Sequence, residues 1–323
     1  MKLENIGFYT LLDSRAATTS EVSRLSRCEL ILTSRCNFNC PYCRGMKDAD
    51  KGDITKDEAF EIVRQWASHD LHCIRFSGGE PTLWPHLVEL VSYAKDLGIE
   101  RIALSTNGSA RLGLYENLIT SGVNDISVSL DSCCASMGNK MAGVDNIWER
   151  VTSNIKKLSG KIYLTVGVVL TTDNYPEIND IVKFASNLGV ADIRVIPAAQ
   201  LSRELESLDI SADILSSHPI LAYRYRNFIS GNGVRGLKES DNHKCPLVLD
   251  DMAVLNGHHY PCIIYMREHG SPIGRINGSI ENVRRERARW HDEHNCLHDD
   301  ICRNNCLDVC VDYNNKVRLL QNC

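Results

Sequence analysis

From Cys28 to about residue 200 the chain alternates short apolar runs with longer amphipathic segments, and no other feature limits its possible folds so strongly. The runs are CELILTS, CIRFSG, RIALSTN, DISVSLD, YLTVGVVLTT and DIRVIPA. Between them stand DEAFEIVRQWASHD, HLVELVSYAKDLG, LYENLITSG, NIWERVTSNIKKLSG and EINDIVKFASNLG. Near-continuous apolar strands are buried on both faces, and a helix between successive strands makes them parallel. Six such units predict an α/β fold, a partial (β/α)6 TIM-like barrel, two strands short of a closed ring of about eight. The loops at the C-terminal ends of the strands then carry the chemistry.

Residues 1–27 precede this pattern as an extension. Residues 201–242 read as a mainly helical bridge, and 243–323 form a segment rich in Cys, His, Asp and Asn with little periodicity. A net charge of -5 argues against a nucleic-acid partner, whose footprint is a strongly basic face. No apolar run of about 18 residues appears and the N-terminus lacks a signal-peptide core, so no membrane partner is expected and a cytoplasmic location is. In a reducing compartment 14 cysteines point to metal or catalysis rather than disulfides.

The stretch SRCNFNCPYCRG directly follows the first strand and spaces Cys36, Cys40 and Cys43 as CxxxCxxC. Three thiolates on one short turn suit zinc or an iron-sulfur cluster. On a four-iron cluster they leave one iron with an open coordination position. Directly after the second strand comes FSGGEPTL, with Gly78, Gly79, Glu80 and Pro81. The third strand ends in STNG and the fourth in SLD.

In these motifs the chain resembles the radical S-adenosylmethionine (SAM) superfamily. The resemblance implies a 4Fe-4S cluster on Cys36, Cys40 and Cys43 whose open iron chelates SAM. It implies that Gly78, Gly79 and Glu80 receive the methionine ammonium, and that Ser105, Asn107, Ser129 and Asp131 contact ribose and carboxylate. Ile196 would pack on adenine and Arg194 would face the cofactor or the substrate. Reductive cleavage of SAM gives methionine and a 5'-deoxyadenosyl radical that abstracts a substrate hydrogen, with flavodoxin or ferredoxin as the electron donor.

The C-terminal segment extends the likeness. Cys245, Gly257 and Cys262 reproduce the opening of the auxiliary-cluster region called SPASM, or of its shorter relative, the twitch domain. Cys296, Cys302, Cys306 and Cys323 resemble its second half, Glu293 stands where that pattern has a cysteine, and Cys310 lies beyond it. The resemblance implies one or two auxiliary 4Fe-4S clusters. Two closed clusters need eight ligands against seven cysteines, so either Asp251, Glu293 or His294 completes the set or a single cluster forms on Cys245 and Cys262 with partners among Cys302, Cys306 and Cys310. A zinc staple is the other reading of such a tail.

Cys133 and Cys134 follow SLD, where a thiol could return a hydrogen atom to a substrate radical; small residues in a packed loop are the plainer reading. Cys28 and Cys73 sit in strand runs and are expected in the core. His258 and His259 read as second shell to a cluster or as exposed loop residues, and Arg75 as an anion contact or a salt-bridged strand residue. The expected function is a redox modification of a small metabolite, dehydrogenation or epimerisation. Fewer than thirty residues precede the first strand, which disfavours a leader-guided peptide maturase, the second expectation. A non-catalytic iron-sulfur or zinc scaffold is the third, and the cosubstrate motifs speak against it.

Overall fold

The computed structural model describes residues 14–45, 51–199, 208–276 and 279–321. Among these, nine strands occur in chain order: β1 (Arg27–Thr33), β2 (Cys73–Gly78), β3 (Arg101–Thr106), β4 (Asp125–Ser129), β5 (Tyr163–Leu170), β6 (Asp192–Pro197), β7 (Asp251–Leu255), β8 (His258–Tyr260) and β9 (Gly274–Arg275). The chain divides into two compact units, one of Met1–Arg35, Arg44–Ile102 and Arg235–Cys323, the other of Cys36–Cys43 and Ala103–Val234.

In the first unit β1 and β2 run parallel from Arg27↔Cys73 to Thr33↔Gly78. Every residue of both strands is buried, including the polar Glu29 and Arg75, which face each other in register, and Cys28 and Cys73 are core residues at 1% exposure. The helix Lys56–Ala67 starts where Thr55 accepts a hydrogen bond from the Glu58 amide, and it buries Ala59, Ile62, Val63 and Trp66. The helix Leu87–Asp96 buries Leu87, Leu90, Val91 and Ala94.

The C-terminal segment is more regular than its sequence led us to expect. β7 pairs parallel with β1 from Arg27↔Asp251 to Leu30↔Val254, and β8 and β9 continue antiparallel. The β7–β8 turn is Asn256–Gly257, with φ of 47° and 68°. Asn-Gly at two left-handed positions is the two-residue turn that matches strand twist. Helices Ile280–Glu293, Asp300–Asn305 and Asp308–Gln321 follow, the last packing Tyr313 and Val317 against Ala16 and Leu247.

In the second unit β3, β4, β5 and β6 pair parallel in sequence order. Helices Leu112–Ser121, Trp148–Leu158 and Ile178–Asn187 occupy the expected crossovers. An additional helix, Ala135–Ala142, follows β4 directly. After β6, Ala212–Ser217 and Pro219–Ile229 are helical, and buried Asp192 accepts from the Ile220 amide at 3.0 Å to fix where the second begins.

Candidate active site and metal centre

In the first unit the Gly78–Glu80 segment prolongs the β1–β2 pairing beyond the strands. The Gly79 amide donates to Thr33 O at 2.7 Å and the Glu80 amide to Arg35 O at 2.8 Å. A Cβ at Gly79 would lie 2.7 Å from both the Arg35 carbonyl carbon and the Ser34 carbonyl oxygen. At Gly78, where φ is +155°, it would lie 3.2 Å from the Thr33 nitrogen. Both positions therefore need glycine for close backbone approach, at the residues that immediately precede Cys36. Glu80 is wholly buried and its carboxylate accepts from the Thr82 amide (3.1 Å) and hydroxyl (2.6 Å), capping the turn Pro81–Leu83. Arg35 is braced by Asp53 through Nε to Oδ1 at 2.9 Å and Nη2 to Oδ2 at 2.5 Å. This pair holds the Asp53 carboxyl below its usual range.

In the second unit the cysteine loop is held at three places. Asn107, just past β3, donates to Asn37 Oδ1 at 2.9 Å, and its Nδ2 stands 3.9 Å from Cys36 Sγ. The Asn39 amide donates to Ala142 O at 2.9 Å, at the end of the helix Ala135–Ala142. Tyr42, between the second and third cysteines, donates to Asp131 Oδ2, while the Val169 amide donates to Asp131 Oδ1 at 2.6 Å. Cys36 and Cys43 are exposed and Cys40 is half-buried. Burial pushes the Cys40 thiol up to about 12, so ionising it requires a nearby cation.

The other residues singled out from the sequence take varied places. Ser105 is half-buried on β3 and Ser129 is exposed at the end of β4. Asp131 is buried, and burial raises its carboxyl to about 6. Arg194 and Ile196 lie two residues apart on β6, both half-buried; Arg194 donates to the Ser127 hydroxyl and pairs in register with Gly167. Cys133 Sγ is 3.9 Å from Glu177 Oε2, and burial first, then Glu177, raises it. Cys134 precedes the helix Ala135–Ala142, and contacts with Ser136 and the Met137 amide lower it. His258 and His259 are strand residues, and His259 is fully buried with Nε2 2.9 Å from Glu286. Arg75 is a buried strand residue in register with Glu29.

The C-terminal cysteines converge within the first unit. Cys245, Cys262, Cys296, Cys302, Cys306 and Cys310 line one cavity, together with Tyr265, Trp290 and Asn314 among others. Cys323 lies outside the described residues. Asn314 Nδ2 donates to Cys245 Sγ at 3.4 Å, and the Tyr265 amide donates to Cys262 Sγ at 3.4 Å. As bare thiols Cys262 and Cys306 resist ionisation, Cys262 through burial and Cys306 through its Cys310 neighbour and burial. Six thiols around one cavity, fed by amide donors, are what a thiophilic metal or cluster needs and what an apolar core has no use for.

Sequence reasoning did not single out Tyr42 or Arg287. Arg287 is fully buried and donates to the carbonyls of Val248 (2.8 Å), Tyr260 (2.9 Å), Pro261 (3.1 Å) and Asp251. It thereby ties together the backbone that presents Cys262. In RRERARW it reads as one more charge on a solvated helix face.

Residues 30–185 match the model of the Radical SAM superfamily. The chain therefore carries a radical SAM domain. It is 30% identical over 172 residues to a probable GTP 3',8-cyclase of Saccharolobus islandicus, covering 52% of this chain and 55% of that protein. It is 30% identical over 184 residues to an AdoMet-dependent heme synthase of Methanosarcina barkeri, covering 56% of this chain and 52% of that one. The chain thus spans about half the length of the curated relatives it matches. Among solved structures, Streptococcus suis SuiB bound to S-adenosylmethionine aligns with TM-score 0.60 at 16% identity, over 85% of this chain and 71% of that chain. Native anSMEcpe with bound AdoMet aligns with TM-score 0.57 at 18% identity, over 92% and 95%. At such identities the likeness is one of fold, the α/β partial barrel with a C-terminal cysteine-rich region.

The cofactors of this class are S-adenosylmethionine and a 4Fe-4S cluster. The residues present fit them: three thiol-bearing residues on one loop, of which buried Cys40 needs a nearby cation to ionise, and a pair of glycines packed so closely on the backbone before Cys36 that a Cβ at either would collide with it. No helix among the described residues is long and apolar enough to cross a membrane.

Proposed function

We propose that this enzyme carries out a two-electron oxidation or an epimerisation of a small metabolite. Cys36, Cys40 and Cys43 would hold a 4Fe-4S cluster which, with SAM and an electron from a flavodoxin- or ferredoxin-type donor, would supply the radical chemistry that takes hydrogen from substrate. In this reading Gly78, Gly79 and Glu80 receive the methionine ammonium, and Asn107 both steadies the Cys36 turn and contacts the ribose with Ser105, Ser129 and Asp131. Arg194 faces an anionic group, and Ile196 packs on adenine.

The observation that carries the oxidative reading is the cavity lined by six cysteines. A substrate radical that loses a second electron needs an acceptor, and a cluster at Cys245, Cys262, Cys306 and Cys310 supplies one. Epimerisation is the second reading, and Cys133 supports it: burial and Glu177 keep that thiol protonated, as a hydrogen-atom donor must be, whereas Cys134 is biased toward thiolate. The two relatives above are named for GTP and heme, both small molecules. SuiB bound to its precursor peptide SuiA keeps a peptide as the runner-up substrate.

The test is substrate-stimulated 5'-deoxyadenosine release by reconstituted enzyme, offered cell extract split into a low-mass metabolite fraction and a peptide fraction. The proposal expects stimulation by the metabolite fraction, with a product two hydrogens lighter or one carrying solvent deuterium. Stimulation by the peptide fraction alone would sink it.

A further inference from the structure

The six cysteines of the C-terminal cavity fall into two groups. Cys306 neighbours Cys310, and both line the cavity with Cys245 and Cys262. Cys296 and Cys302 instead form a group with His294, and the ligand atoms of these three all lie within 4.8 Å of one another. Cys302 Sγ is 3.8 Å from His294 Nε2. The two groups meet where Cys296 touches Cys245.

Ligands around one tetrahedral ion, with metal–sulfur and metal–nitrogen bonds of about 2.3 and 2.0 Å, stand about 3.5–3.8 Å apart. His294 Nε2 and Cys302 Sγ, 3.8 Å apart, stand at the spacing of two ligands on one ion, with Cys296 close enough to join them. Thiolates on different irons of a cubane stand further apart, because a cluster edge lies between them. Imidazole with two thiolates is also a zinc donor set, one that leaves a fourth position.

The imidazole is held in place. Trp290 stacks on it with ring centroids 3.9 Å apart and planes 18° apart, and Tyr265 meets it edge-on at 6.3 Å. Asp299 Oδ2 lies 3.8 Å from His294 Nε2 and accepts from the Tyr265 hydroxyl at 3.0 Å, while Asp299 Oδ1 accepts from the Cys302 amide at 2.8 Å. Asp299 thus holds the Cys302 backbone in place. Lys244 Nζ donates to His294 O at 3.1 Å, and the Cys296 amide to His243 O at 2.8 Å, so the backbone at both ends of the His294–Cys296 pair is tied down as well. The stacked and edge-on rings thus fix the orientation of the imidazole.

We propose that His294, Cys296 and Cys302 bind a single zinc ion, beside the four-thiolate set Cys245, Cys262, Cys306 and Cys310 that holds the auxiliary cluster. The inference rests on that cluster reading for the division of the cysteines. The full chain, purified without oxygen from cells supplied with iron and zinc, should contain about one zinc with about eight iron and eight sulfide, two clusters' worth. His294→Ala and Cys302→Ala should each drop zinc below a tenth of the unsubstituted value while iron stays near eight. His294→Cys, which keeps a ligand there, should retain zinc and so exclude unfolding as the cause of the loss. Cobalt(II) loaded in place of zinc should show thiolate charge-transfer absorption that Cys302→Ala weakens. About twelve iron with no zinc, or zinc unchanged in both alanine variants, overturns the proposal. A zinc-containing chain with iron near four overturns the auxiliary-cluster reading instead, so the two failures are distinguishable.

Discussion

Gly79→Ala tests whether the glycine cradle is built by backbone approach. The new methyl would stand 2.7 Å from the Arg35 carbonyl carbon and the Ser34 carbonyl oxygen, about 0.7 Å short of the 3.4 Å at which ordinary contact begins. The obstacle is main chain, so no side chain can swing aside. Opening the segment by that amount stretches the Gly79–Thr33 and Glu80–Arg35 hydrogen bonds, now 2.7 and 2.8 Å, past the useful N–H···O range of about 3.2 Å. Two buried bonds at about 1 kcal/mol each, in line with the usual cost of overpacking, give a loss of about 2–3 kcal/mol. Gly98→Ala is the control: its φ of +85° costs about 1 kcal/mol, but nothing lies within 4 Å of the added methyl. Urea midpoints and iron content of anaerobic protein read both variants. Gly79→Ala should be the less stable and should lose iron from the loop that Arg35 leads into, whereas Gly98→Ala should keep its iron. If Gly79→Ala is no less stable than Gly98→Ala and fully loaded with iron, the close-approach argument is wrong.

Asp131 should make stability fall as pH rises from about 4 to about 6, because burial raises its carboxyl to about 6 and the folded chain holds a proton the unfolded chain has released. Asp131→Asn, which can still accept from Val169 and donate to Tyr42, should remove that slope of roughly 2–3 kcal/mol; an unchanged difference between the two pH profiles would refute the assignment. Arg287→Met should cost about 3–5 kcal/mol, since it leaves a ring of buried carbonyls without their donor, and it should lower iron at the C-terminal cavity before iron at Cys36, Cys40 and Cys43. A urea midpoint shift worth less than about 1 kcal/mol would show that water replaces the guanidinium.

The βα units and both barrel motifs were legible in the sequence for a physical reason. Strands buried on both faces are mostly apolar, and a glycine pair that touches main chain leaves no substitute. The β7–β8 hairpin was legible too, through Asn256–Gly257, but the glycine drew attention as part of a cysteine pattern rather than as a turn. Tyr42 and Asp131 are 89 positions apart, and nothing local to either announces the other. Arg287 looks solvated because its partners are carbonyls, which every residue has and no sequence distinguishes. The helix Ala135–Ala142 was unreadable because ASMGNKMA is short and carries a central glycine; Gly138 is there because Trp148 packs against it.

The most direct measurement is 5'-deoxyadenosine released from SAM by dithionite-reduced, anaerobically reconstituted enzyme, set beside the variant with Cys36, Cys40 and Cys43 all changed to Ala. The account predicts release from the first and none from the second, with about four iron fewer per chain in the variant. Equal release from both, or zinc in place of iron on that loop with no SAM cleavage, would contradict it.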